Sequence, residues 1–265
     1  MFKNLTIGQH YPVESPVHDL DPRLKIMMTI IFIVSIFFIK NFTGFLIVIG
    51  FLTLSISLSK VPVKFVIRGL RPILLIIIIT FLINLLMTPG RTIFKIGFIN
   101  VTEEGLKQAG FMAVRLTLLI MGTSLLTLTT SPIILTDGIE SLLSPFKRFG
   151  LPAHELAMMM TIALRFIPTL MEETEKIMKA QKSRGADFES GNIVSRAKNL
   201  VPLLVPLFIS AFRRADELAM AMEARCYRGG DQRTRMRQME IKNIDYIAAF
   251  VFLVYLTAII LFRIW

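Results

Sequence analysis

The chain is 265 residues long, 54% hydrophobic and +11 in formal charge, with a mean hydropathy of +0.63. A soluble domain sits nearer about 45–50% apolar, so this balance excludes an ordinary soluble enzyme. It suits a membrane protein whose Lys and Arg face anionic headgroups and cytoplasmic partners. The apolar runs are too long for a nucleic-acid-binding chain, and no zinc-finger or RNA-binding motif is present. The single cysteine, Cys226, allows no internal disulfide.

The first 24 residues, Met1 to Leu24, are polar or broken by Pro, not a basic stretch followed by an apolar core. The first span is therefore expected to belong to the mature protein. Five apolar stretches follow, near Leu24–Ile39, Phe42–Leu58, Pro72–Met87, Leu106–Thr129 and Ile244–Phe262. A crossing helix takes about 20 residues, with a range of about 17–25. The first three are short by that measure and need local thinning and snorkelling Lys and Arg to cross. The tight link Lys40-Asn41 makes the first two a helical hairpin. Buried helices of a large soluble protein would look similar, but four such stretches lie in the first half with little polar sequence between them.

Lys60, Lys64, Arg68 and Arg71 lie between the second and third stretches. Arg91, Lys95 and Lys107, diluted by Glu103 and Glu104, lie between the third and fourth, and a long basic segment, Ser131 to Asn243, follows the fourth. Placing the richer regions inside sets the amino terminus in the cytoplasm and the carboxyl terminus outside, with Trp265 at the outer interface. Arg115 is the one charge well inside a stretch. It has two readings: snorkelling toward the outer headgroups, or a contact to another subunit or internal partner.

The long segment reads as three helices. The first covers about Thr136–Phe149 and stops at Gly150. The second starts at Pro152, carries apolar residues at three- and four-residue steps, holds Pro168 as an expected kink, and stops at Gly185. The third runs from about Ile193 to Tyr227 and stops at Gly229-Gly230. Both long helices begin apolar and end charged. Their last turns share a pattern: Ser183-Arg184-Gly185 in one, Ala224-Arg225-Cys226 in the other. A basic residue in a last turn is favoured by the helix dipole alone, by about 0.3–1 kcal/mol. Small neighbours, however, leave the planar guanidinium free to engage carboxylates or carbonyls of another protein.

The fold class is thus an all-α membrane protein of about five transmembrane helices plus a cytoplasmic module of long amphipathic helices. The expected divisions are residues 1–130, 131–243 and 244–265.

Chemistry is sparse. No phosphate-binding Gly-rich loop occurs, so the chain is not expected to bind ATP. His154-Glu155 begins a zinc-protease pattern, but Met158 stands where the second His must be. His10 and His18 are isolated, and no metal site is expected. A self-contained secondary transporter or channel would concentrate charges or broken helices at mid-membrane. An intramembrane enzyme would pair acid, base or metal groups at one depth. Neither pattern is present.

Tyr11-Pro12-Val13-Glu14-Ser15-Pro16-Val17-His18-Asp19-Leu20-Asp21-Pro22-Arg23-Leu24-Lys25 resembles the approach to the first span in the EcfT proteins, the transmembrane subunits of energy-coupling factor transporters. Ala163-Leu164-Arg165-Phe166-Ile167-Pro168 and the two Arg-tipped helix ends resemble that family too, with Ser183 and Cys226 where it often has Ala and Gly. The resemblance covers nearly the whole chain. It implies a non-catalytic coupling subunit in a bacterial-type cell membrane, with Ser183, Arg184, Gly185, Ala224, Arg225 and Cys226 docking two ATP-binding subunits of EcfA and EcfA′ type. Those subunits would bind ATP and Mg, and this chain no cofactor. A membrane-embedded substrate-binding S-component would capture a vitamin or metal ion. The adaptable residues Met158, Met159, Met160, Ala219, Met220 and Met222 are candidates to hold it.

Overall fold

A computed structural model describes residues 10–96, 99–188, 192–229 and 239–264. Trp265 and Gly230 lie outside the described residues. The chain divides into two compact units, one of residues 8–142 and 238–265, the other of residues 143–237.

The larger unit holds α1 (Pro22–Phe37), α2 (Phe42–Ser59), α3 (Val63–Arg68), α4 (Leu74–Met87), α5 (Glu103–Thr129), α6 (Pro132–Leu143) and α9 (Asn243–Ile264). α2, α5 and the Asn243–Phe262 part of α9 are long and apolar enough to cross a membrane by length and composition. α4 is a shorter apolar helix. α1, at 16 residues, also falls short of a full crossing. All five expected stretches thus form helices of an all-α membrane protein. One local departure is an antiparallel hairpin, β1 (Thr92–Ile96) with β2 (Ile99–Thr102), between α4 and α5. Its β-branched residues Thr92, Ile93 and Ile96 favour extended backbone.

In α2 only one stripe is buried, through Phe45, Val48, Leu52 and Ile56, although the helix is apolar all round. Leu46, Ile49, Leu54 and Leu58 remain exposed, as a lipid-facing surface requires. Phe45, Val48 and Leu52 meet Phe32 and Ile36 of α1, Leu118 of α5, and Phe252, Tyr255 and Ile259 of α9 in one core, while Ile56 packs with Val61, Val66, Leu125 and Leu128 in a second. Within it Ser35 and Tyr255 share a hydrogen bond of 2.9 Å, satisfying both hydroxyls. Gly122 lets α5 approach α1: a Cβ there would lie 2.1 Å from the Phe32 ring.

Arg115 serves the interior. Its guanidinium donates to the Ile39 carbonyl at 2.8 Å and lies over the Phe111 ring at 4.7 Å and the Phe37 ring at 5.7 Å. It therefore pins the link between α1 and α2 to α5.

The segment before α1 is a polar strap. Tyr11 donates its N–H to Leu128 at 2.9 Å. His18 Nε2 donates to the Tyr11 carbonyl at 3.0 Å, and its Nδ1 bonds Ser15 at 2.7 Å. Both ring nitrogens are engaged, so His18 is structural. Burial pushes its pKa down, against the Tyr11 hydrogen bond that would raise it. Lys25, also buried, donates to the carbonyls of His18 and Thr129 and to the Thr130 hydroxyl at 2.9, 3.2 and 3.3 Å. Asp245 at the start of α9 accepts from the backbone N–H of Asp21 at 2.8 Å and of Lys242 at 2.7 Å. The family-like segment of the sequence thus fastens α1, α5 and α9 together.

Candidate partner-docking site

The smaller unit contains a short 3-10 turn (Ser144–Phe149), α7 (Ala153–Ser183) and α8 (Ile193–Ala224). The expected helix Thr136–Phe149 is divided instead. α6 ends at Leu143, and Ser144–Phe149 is the tighter 3-10 form, closed by Gly150 at φ 86°. Pro145 explains the break, because it has no N–H to continue an α-helix.

α7 and α8 pack as an antiparallel pair. Glu173 meets Arg214 at 3.0 Å, Gln181 reaches the Pro202 carbonyl, and Met158 accepts from the Tyr227 hydroxyl at 3.3 Å. Later residues of one helix thus meet earlier residues of the other. The connection of Arg184 to Asn192 is too short for two such long helices to run parallel. Pro168, Pro202 and Pro206 all lie inside the helices without ending them.

The two helix ends have the same geometry. In α7, the Gly185 N–H donates to the Lys182 carbonyl and the Ala186 N–H to the Gln181 carbonyl, both at 3.0 Å. In α8, the Cys226 N–H donates to the Glu223 carbonyl at 2.8 Å and the Tyr227 N–H to the Met222 carbonyl at 3.0 Å. Each is a Schellman cap, with one residue in the left-handed conformation. That residue is Gly185 at φ 88° and Cys226 at φ 56°. α8 therefore stops at Ala224, ahead of the expected Tyr227 and Gly229-Gly230 stop.

Arg184 and Arg225 are the cap residues just before those left-handed positions. Both are exposed, and neither side chain has a hydrogen-bond or ion-pair partner among the described residues. Antiparallel packing sets them at opposite ends of the pair, separated by roughly 40 Å at 1.5 Å per residue. The sequence pattern alone did not place them so. Ser183 donates its hydroxyl to the Lys179 carbonyl at 3.1 Å, and Ala224 is exposed.

Met159, Met160 and Met220 are 54%, 47% and 61% exposed, and Ala219 is exposed, whereas Met158 and Met222 are half-buried. The first four lie on the unit's surface. Met158 is occupied by Tyr227 in closing the α8 cap.

The left-handed region costs a non-Gly residue about 1–2 kcal/mol. Cys226→Gly is therefore expected to stabilise the α8 end by about 1 kcal/mol. Thermal unfolding of the purified chain measures it; a lower midpoint for the Gly variant would contradict the cap geometry.

These features define a helical membrane protein bearing one antiparallel helix pair with an exposed guanidinium at each extremity. The family model described as CbiQ, cobalt transport protein, matches residues 13–236. A Clostridium kluyveri protein named energy-coupling factor transporter transmembrane protein EcfT is 59% identical over 267 residues, covering 100% of this chain and 99% of the relative. Proteins of the same name from Thermosediminibacter oceani and Bacillus subtilis are 62% and 50% identical, covering 94% and 99% of this chain and 94% and 99% of their own. The chain belongs to the EcfT family.

Proposed function

We propose that this chain is the non-catalytic coupling subunit of an energy-coupling factor transporter. Arg184 and Arg225 each dock one ATP-binding subunit, and the helix pair passes ATP-driven motion to a membrane-embedded substrate-binding S-component that carries a vitamin or metal ion. ATP and Mg are held by the ATP-binding subunits, of EcfA and EcfA′ type, and this chain holds no cofactor. The carrying observation is the repeated cap. Two like tips at opposite ends of one rigid element fit a pair of related partners better than they fit one. The exposed Met159, Met160, Ala219 and Met220 offer adaptable contact area to the S-component. Residues 1–130 and 244–265 act as the membrane part and residues 131–243 as the coupling part.

Copurification from detergent tests the reading. Tagged chain is expected to bring down two ATP-binding subunits and a small membrane protein; recovery of the chain alone from intact membranes contradicts it.

Five crossings with the amino terminus inside accompany this proposal, since docking to ATPases needs α7 and α8 in the cytoplasm. In a Cys226→Gly background, a cysteine at Ala197 is expected to react with a membrane-impermeant maleimide only after cells are opened. Labelling of intact cells would reverse the orientation.

A further inference from the structure

The segment joining α2 to α4 carries charge that the docking reading does not use. Lys64, Arg68 and Arg71 follow one another at four- and three-residue steps, which on a helical path gives one stripe, and Lys60 stands just ahead of it in the chain. The path is helical from Val63 onward, whereas Lys60 stands ahead of it as the left-handed cap of α2 at φ 54°. α3 covers Val63–Arg68, and the N–H groups of Leu70, Arg71 and Ile73 continue the turns by donating to the carbonyls of Ile67, Arg68 and Leu70.

All four side chains are exposed, and none has a carboxylate partner among the described residues. The sequence explains this, because no Asp or Glu occurs between Asp21 and Glu103. Arg68 lies over the Phe65 ring at 5.1 Å, which leaves its hydrogen-bonding edge open.

Beside the basic stripe runs an apolar one. Val63, Ile67 and Leu74 are 53%, 53% and 50% exposed. A third face holds the segment to the protein: Val66 is fully buried, and Phe65 packs on Tyr11 with ring centroids 4.9 Å apart. The segment links the end of α2 to the start of α4, so it lies where two apolar helices leave the hydrocarbon. A basic stripe flanked by an apolar one, at that level, is the arrangement of an interfacial element that attracts anionic headgroups. An acidic protein surface would match the charges alone. A phospholipid matches the charges and the exposed Val63, Ile67 and Leu74 together.

We propose that Lys60, Lys64, Arg68 and Arg71 form a binding site for an anionic phospholipid of the phosphatidylglycerol type, with Val63, Ile67 and Leu74 against its acyl chains. The guanidinium forks of Arg68 and Arg71 suit bidentate phosphate bonding, and the lysines add point charges. None of the four lies on α7 or α8.

The test uses the purified full chain in a neutral detergent, titrated with phosphatidylglycerol or phosphatidylcholine and read by native mass spectrometry of lipid adducts. Phosphatidylglycerol is expected to bind at least tenfold more tightly, and the preference to weaken with salt. Each Lys→Gln or Arg→Gln change is expected to reduce phosphatidylglycerol affinity about fivefold, leaving phosphatidylcholine unchanged. Glycerol phosphate, lacking acyl chains, is expected not to compete. The single variants Lys64→Gln and Arg71→Gln keep the test open where the Lys64→Gln/Arg71→Gln double variant does not insert. Equal binding of the two lipids, a preference unchanged in Lys64→Gln/Arg71→Gln, or full competition by glycerol phosphate would each overturn the proposal.

Discussion

The Arg184→Ala/Arg225→Ala double variant is expected to lose coupled uptake and to copurify with neither ATP-binding subunit. Both side chains stand exposed at helix caps and have no partner in this chain among the described residues, so their removal leaves α7 and α8 intact. Truncating one side of a buried charged hydrogen bond at an interface costs about 2–5 kcal/mol, roughly a 30- to 5,000-fold loss of affinity at each tip. Because the tips lie at opposite ends of the helix pair, each single variant should release one ATP-binding subunit and keep the other. Lys at either site keeps the charge but not the planar fork, and should recover little. If the arginines serve only the helix dipole, the outcome differs. Stability would fall by about 0.3–1 kcal/mol, uptake would stay near normal, and Lys would equal Arg. Uptake in proteoliposomes, with subunit recovery measured in parallel, separates the two; wild-type uptake in the double variant would sink the docking reading.

Much of this architecture was legible because membrane helices announce themselves by uninterrupted apolar runs. The Gly185 stop and the paired Arg tips were legible for a local reason: capping geometry is written in adjacent residues. The α8 stop was not, because Cys226 adopts a conformation that its side chain disfavours, and Gly229-Gly230 is the stronger sequence signal. Opposite placement of the tips could have been read in part from the short link between α7 and α8, which rules out parallel packing. Arg115 stayed open between two readings because its acceptor, the Ile39 carbonyl, lies 76 residues away in sequence. The β1–β2 hairpin was hidden in a loop whose β-branched residues count for little beside long helical runs. The polar strap was recognisable as a family-like segment, yet its task was not. Asp21 and Asp245 are 224 residues apart, and only the fold brings them together.

That pairing carries the second large effect. Asp245→Ala is expected to destabilise the helix bundle by about 3–5 kcal/mol, since hydrogen bonds to a charged group contribute about 1.5–3 kcal/mol each and the donors left behind are buried. Asp245 itself is 3% exposed and accepts from Asp21 N–H at 2.8 Å and Lys242 N–H at 2.7 Å, one bond on each carboxylate oxygen. The Asp21 carboxylate cannot take its place, being engaged by the Arg23 side chain at 2.6 Å and the Arg23 N–H at 2.8 Å. Arg23 in turn reaches the Met239 carbonyl at 3.4 Å, so the start of α1 and the approach to α9 are joined twice. Asn at 245 keeps one acceptor oxygen and should therefore lose about half as much as Ala. The pH dependence follows from Asp21. Burial is the largest single influence and would raise its pKa, but the Arg23 side-chain and backbone hydrogen bonds, the Arg23 charge and the Leu24 N–H together outweigh it and hold the carboxyl below its ordinary value of 3.8. A depressed carboxylate pKa contributes stability above the unfolded value, and that contribution is lost as pH falls through the folded one. The wild-type contribution should thus be constant from pH 7 to about pH 5 and fade only below 3.8. Thermal unfolding of wild type, Asp245→Asn and Asp245→Ala in detergent at pH 7 and pH 5 measures the series. An unchanged midpoint in the Ala variant, or Asn as damaging as Ala, would show that this carboxylate does not hold α1 and α9 together.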